Sequence, residues 1–228
     1  MSQALIYTVF PVIAMILGIA VASWRQPSAA VISAIQHLAA GIVFAAAAGE
    51  VLPNLKHASS IWPIVIGGGA GILVMLGLST FEAKEGEGGR SLLILVSVDV
   101  LIDGLVLGIG FAAGDKAGLL LTIALTIEVL FLGLTLTPAL RAWTIGKRAI
   151  ATFAIALLFP VGVLLAVPIA GLPLPYMTGF FAFGLIALLY LVTEELLVEA
   201  HEVPDTPWQT AMFFVGFLGL LLLEQSVG

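Results

Sequence analysis

Long apolar runs, cut by short clusters of glycine, proline and charge, recur eight times along the chain. They fall at about 4–23, 31–54, 62–80, 91–113, 117–140, 149–170, 176–199 and 208–225. A helix needs roughly 20 mostly apolar residues to cross the hydrocarbon core, and each run is about that length. No water inside a bilayer can satisfy backbone N–H and C=O groups, so such runs are expected to be helical. The pattern therefore predicts an all-α polytopic membrane protein, a bundle of eight transmembrane helices forming a single transmembrane domain over residues 1–228. The longest polar interruption, Phe81-Glu-Ala-Lys-Glu-Gly-Glu-Gly-Gly-Arg90, reads as a solvated loop between spans three and four.

Composition strengthens this picture. Hydrophobic residues make up 61% of the chain and charged residues 10%, and the mean hydropathy is +1.20. No soluble domain has interior enough for so much apolar surface. Cysteine is absent, which excludes disulfides, thiolate metal ligands and thiol nucleophiles. With Lys+Arg at only 8 and a net charge of −6, there is no nucleic-acid footprint. The first apolar run follows no basic segment and no small-residue cleavage site, so it reads as a retained span.

The basic residues give an orientation. Loops after spans one, three and five carry Arg25, Lys84, Arg90, Arg141, Lys147 and Arg148, and the other side carries only Lys56 and Lys116. Basic loops stay cytoplasmic, so both termini are expected on the extracytoplasmic side of a plasma (inner) membrane. Gly67-Gly68-Gly69-Ala70-Gly71 in span three puts small residues four apart, a pattern that lets helices pack closely. Pro160 and Pro168 are expected to kink span six or break its hydrogen-bond ladder.

The chemistry lies in the ionisable residues within the spans. Asp99 and Asp103 stand four apart in Asp99-Val-Leu-Ile-Asp-Gly104, on one helical face, where two ionised acids repel. Each ionised acid at the bilayer centre costs roughly 2.5–3.5 kcal/mol on insertion scales. Glu128 sits mid-span in span five, near Thr122 and Thr126, whose hydroxyls are further candidate oxygens. Glu50 lies late in span two, where an interfacial acid is an equally good reading. Glu224 reads as interfacial. No Lys or Arg lies deep in any span, so these acids must be neutralised by protons or by metal. Glu194, Glu195, Glu199 and His201 cluster near what is expected to be the outer end of span seven, as an entrance or auxiliary group. His201 also reads simply as a solvated helix-end histidine, and His37, near the cytoplasmic start of span two, as a packing residue.

At these residues the chain resembles the ZIP (Zrt-, Irt-like protein) family of divalent metal transporters. Ala187-Leu-Leu-Tyr-Leu-Val-Thr-Glu-Glu-Leu-Leu-Val-Glu-Ala-His201 is similar to the family's A-x-x-Y-x-x-x-[DE]-E-L-[IL]-x-E-[AS]-H stretch, and Gly49-Glu-Val-Leu-Pro53 to its H-L-L-P element. The family's span-four H-N-x-x-[DE]-G becomes Asp99-Val-Leu-Ile-Asp-Gly104, and its span-five [HQ]-[END]-x-P-[EH]-G becomes Glu128-Val-Leu-Phe-Leu-Gly133. The E-P-x-G of span six becomes Phe159-Pro-Val-Gly162.

The resemblance implies a divalent cation carrier with no resident cofactor and no catalytic residue, moving metal towards the cytoplasm and assembled as a homodimer. It implies that spans one, four, five and six move against a scaffold of spans two, three, seven and eight. It also implies one metal site, Glu50, Asp99, Asp103 and Glu128. The second site of many members would need residues where Val100, Val129, Leu132 and Phe159 stand. An oxygen-only cage suits Mn²⁺, Fe²⁺ or Mg²⁺, and imidazole suits Zn²⁺, which accepts carboxylates too. Two other readings stay open at this point: a proton or organic-solute carrier on the same scaffold, and an intramembrane hydrolase using the acids as a proton-sharing pair.

Overall fold

A computed structural model describes residues 2–56, 58, 60–85, 89–140, 143–204 and 206–227. Among them, eight helices are long and apolar enough to cross a bilayer: Ser2–Trp24, Ala29–Lys56, Trp62–Thr80, Leu92–Ala113, Asp115–Thr137, Gly146–Ile169, Leu174–Ala200 and Pro207–Val227. No strand occurs among the described residues. The chain is thus an all-helical, multi-pass membrane protein.

The expected loop at 81–90 is shorter than its polarity implies. The third helix runs on through Phe81-Glu-Ala-Lys-Glu85, mostly good helix formers, and the fourth begins at Gly89. Residues 86–88, Arg141 and the side chains of Lys84 and Arg90 lie outside the described residues.

Prolines set the breaks. Pro11 offers no N–H to the Tyr7 carbonyl and its ring crowds it, so span one breaks after Tyr7 and resumes at Val9. At the break the Thr8 hydroxyl donates to the Leu5 carbonyl at 2.7 Å. Pro160 acts the same way on Ala156, where span six is interrupted before Leu158. Pro168 sits inside the second half of that span, one residue from its end at Ile169. In span two Pro53 follows a π-helical turn, Ala47–Val51, in which the Leu52 N–H reaches back to the Ala47 carbonyl at 2.9 Å. A second π turn, Leu191–Leu196, interrupts span seven without a proline to cause it.

Glycines bring the spans together in pairs. A Cβ on Gly104 would lie 2.0 Å from the Phe159 carbonyl oxygen, and one on Gly162 2.2 Å from that of Leu101. Spans four and six therefore cross backbone to backbone, at a distance only glycine permits. The same device joins spans one and five (Gly18, Gly133), two and eight (Gly41, Gly216), and three and seven (Gly67). Each pair falls wholly within one of the two sets that the sequence resemblance implies. Within the span-three cluster, Gly67 and Gly71 face span seven, whereas Gly69 has nothing within 4 Å.

Burial ranks the spans from centre to rim. Spans four and five are 56% and 61% buried, spans three and eight only 11% each. The acids of spans four and five thus belong to the middle of the bundle.

Candidate metal site

Spans four and five form a hairpin around one residue, Gly114, whose φ of +155° few L-residues adopt. So short a turn fixes the register. Asp103 and Asp99 lie about eleven and fifteen residues before it and Glu128 about fourteen after, so at ~1.5 Å per residue all three stand roughly 16–22 Å from the turn. The i, i+4 spacing aligns the two aspartates on one face, and the hairpin brings Glu128 opposite them.

The result is a compact triad. One carboxylate oxygen from each of Asp99, Asp103 and Glu128 lies within 4.8 Å of the other two. Glu128 is fully buried, Asp103 is 2% exposed and Asp99 is half-buried. Both Glu128 oxygens, Asp103 Oδ2 and Asp99 Oδ2 are buried without a hydrogen-bond donor among the described residues. A buried carboxylate without a donor is costly, and three together repel, so the arrangement calls for a proton or a cation between them. Thr122 and Thr126 spend their hydroxyl protons on their own helix, donating to the Gly118 and Thr122 carbonyls at 2.7 and 2.6 Å.

Asp99 also faces a cavity of about 280 Å³, lined with Leu132, Thr135, Glu194, Glu195, Glu199 and Glu202. A neighbouring cavity of about 270 Å³ shares Thr135, Glu199 and Glu202 and adds Ser33 and Gln36. Exposed Glu194, Glu199 and Glu202 form the rim, so open space leads from the surface to the triad. On the far side of Asp103 only about 10 Å³ remains, between Val106, Ile109, Phe181 and Gly184. Val100, Val129 and Phe159 are packed core, and Leu132 is 9% exposed. A groove of about 510 Å³ between residues 62–70 and 175–183 has no ionisable lining residue except Tyr176.

The structure brings together three of the four expected metal residues. Glu50 lies apart. It borders the small closed space beside Val106, Ile109 and Gly110, one to two turns beyond Asp103, or roughly 5–10 Å along the helix. Glu50 lies near Glu224 and Lys116, which themselves pair at 3.6 Å. The Glu50 carbonyl accepts from Asn54 Nδ2 at 2.7 Å. Glu224 thus has a basic partner at the end of the bundle, in keeping with an interfacial acid.

The expected outer mouth needs correction. Gln36 Nε2 donates to Glu199 Oε2 at 2.6 Å, and the His37 and His201 rings are 5.1 Å apart. Glu194 to His201 therefore belong to the end where span two begins, the end that also carries the basic loops. The reason is parity: odd-numbered spans run in one direction, so span seven finishes where spans one, three and five finish. Gln36 and Glu202 were not legible as part of the group. Gln36 is an uncharged residue in a mostly apolar helix start, and Glu202 follows the last helical turn.

No family model matches the chain, and no curated protein matches it.

Proposed function

We propose that the chain carries divalent metal cations across the membrane, with Asp99, Asp103 and Glu128 as the central ligands. The observation that carries this reading is the triad itself: three carboxylates within 4.8 Å of one another, in two of the three most buried spans, with no Lys or Arg partner among the described residues. The ion is substrate, bound by oxygen alone, and the ligand set favours Mn²⁺, Fe²⁺ or Mg²⁺ over Zn²⁺. The ZIP resemblance in spans two, four, five and seven supports the same reading. It adds import towards the cytoplasm, residence in the plasma membrane and a homodimer.

The chain's own residues have distinct parts in this scheme. Asp99 meets the ion from the cavity, and Asp103 and Glu128 complete a deeper cage. Glu194, Glu195, Glu199 and Glu202 give the path an acidic rim at the basic-loop end, which is the exit in an importer. The apolar seal of Val106, Ile109 and Phe181 must open for an ion to arrive from the other side, past Glu50. Uptake into proteoliposomes with a panel of Mn²⁺, Fe²⁺, Mg²⁺ and Zn²⁺ tests the proposal. Metal-dependent uptake that Asp103→Ala abolishes supports it, and equal flux in the two proteins refutes it.

One observation favours a second reading. Asp103 and Glu128 carry buried oxygens without a donor, which protons can neutralise as well as a metal ion can. Proton flux in metal-free vesicles separates the two.

A further inference from the structure

Lys116 and Glu224 each carry a charge that their own helix disfavours. Lys116 is the second residue of span five, at the positive end of that helix's dipole. Glu224 lies in the last turn of span eight, at the negative end. Both placements are unfavourable on the helix taken alone. Each is relieved only by the other, with Lys116 Nζ 3.6 Å from Glu224 Oε1. A local rule broken in two helices at once, for the sake of one contact between them, points to a functional contact.

The geometry points to Lys116 as a gating residue. Its ion pair with Glu224 latches the bundle shut at the end opposite the basic loops, and the pair parts when that end opens. The inference rests on the carrier reading, because a carrier opens its two ends in turn.

The pair crosses a seam. Close glycine contacts lock span five to span one through Gly18 and Gly133, and span eight to span two through Gly41 and Gly216. Spans five and eight touch each other only slightly. The ion pair therefore clasps one locked pair of helices to the other. Glu224 reaches span two as well: its Oε2 lies 3.2 Å from the place a Cβ on Gly49 would take. Glu50, the next residue, lies near both charges.

The clasp sits over the closed end of the path. Glu50 borders the space of about 10 Å³ that Val106, Ile109 and Phe181 leave there. At the other end the acidic cavity of about 280 Å³ reaches Asp99. One end is thus open while the other is sealed and clasped. The Lys116 and Glu224 side chains are 42% and 32% exposed, so the pair is a weak one. A weak pair suits a latch, since it biases the closed arrangement and still parts in every cycle. Exposed pairs of this kind shift a two-state equilibrium by about 1.4- to 5-fold.

The full-length protein provides a clean test, because the chain has no cysteine of its own. Ile109→Cys places a thiol in the seal, and Thr135→Cys places one in the cavities at the open end. Labelling of each by a charged maleimide is timed in detergent with chelator present. Lys116→Gln and Glu224→Gln should each speed labelling at position 109 by about 1.4- to 5-fold without speeding it at position 135. The charge swap Lys116→Glu/Glu224→Lys should return the rate to that of the parent. A rate at position 109 indifferent to both neutral variants, an increase at both positions, or a swap that restores nothing would overturn the proposal. The readout needs no metal, so these results leave the triad untouched. Equal metal flux in Asp103→Ala and wild type would instead count against the carrier reading.

Discussion

Replacing Glu128 by glutamine should make the metal-free protein more stable while removing its response to metal. Glu128 has both oxygens buried without a donor, within 4.8 Å of an oxygen from each aspartate. At an effective dielectric of about 20, two full charges 4.8 Å apart repel by about 3.5 kcal/mol, and Glu128 takes part in two such pairs. Glutamine keeps the shape, removes the charge and supplies an N–H₂ donor for Asp103. Relaxation and proton uptake already relieve part of the repulsion in the wild type. A net gain of about 1–3 kcal/mol is therefore expected, in line with other replacements of buried charge by neutral groups. For a chain of this length that is an upward shift of ~3–10 °C in apparent Tm.

The assay is thermal unfolding in detergent, with chelator and with Mn²⁺. Wild-type protein should gain about 2.7 kcal/mol at a metal concentration near 100 times Kd, and Glu128→Gln should gain nothing. Acidification should narrow the gap between the two metal-free proteins, since protons neutralise the same charges. If Glu128→Gln melts at or below the wild type in chelator and still responds to Mn²⁺, the triad is neither strained nor a cation site.

Other outcomes follow from the same geometry. Asp99→Ala and Asp103→Ala should each abolish metal uptake at matched expression, and wild-type flux in both would remove the site assignment. Asp99→His with Glu128→His should move preference towards Zn²⁺ by ligand softness, read as a changed Mn²⁺/Zn²⁺ ranking in competition uptake. Metal affinity should fall as the medium is acidified, because carboxylates bind the ion deprotonated. Calorimetry in buffers of differing ionisation enthalpy should then register proton release. Gly104→Ala, whose Cβ would meet the Phe159 carbonyl at 2.0 Å, should destabilise by about 1–3 kcal/mol, whereas Gly69→Ala, with open space around it, should be neutral or up to about 1 kcal/mol stabilising. Thermal unfolding compares the two directly.

What was readable from the chain was what hydropathy and spacing encode. Eight apolar runs become eight spans because a bilayer allows the backbone little else. Asp99 and Asp103 had to share a face, and Glu128 meets them because a one-residue turn at Gly114 leaves the hairpin no freedom of register. Pro160 broke its helix where its ring crowds Ala156. Less local features were hidden. Glu50 falls within the π turn before Pro53 and outside the triad, and a sequence read at 3.6 residues per turn does not anticipate a π turn. The end at which Glu199 and His201 lie, with the basic loops rather than opposite them, follows from the parity of the spans. Gln36 was invisible because its importance lies in one bond to a residue 163 positions away.

The most direct test of the central claim is a Mn²⁺ anomalous difference map of the wild-type protein. A peak between spans four and five, about 2.0–2.3 Å from carboxylate oxygens of Asp99, Asp103 and Glu128, is the expected result. A map with Mn²⁺ bound elsewhere and no peak within the triad would contradict it.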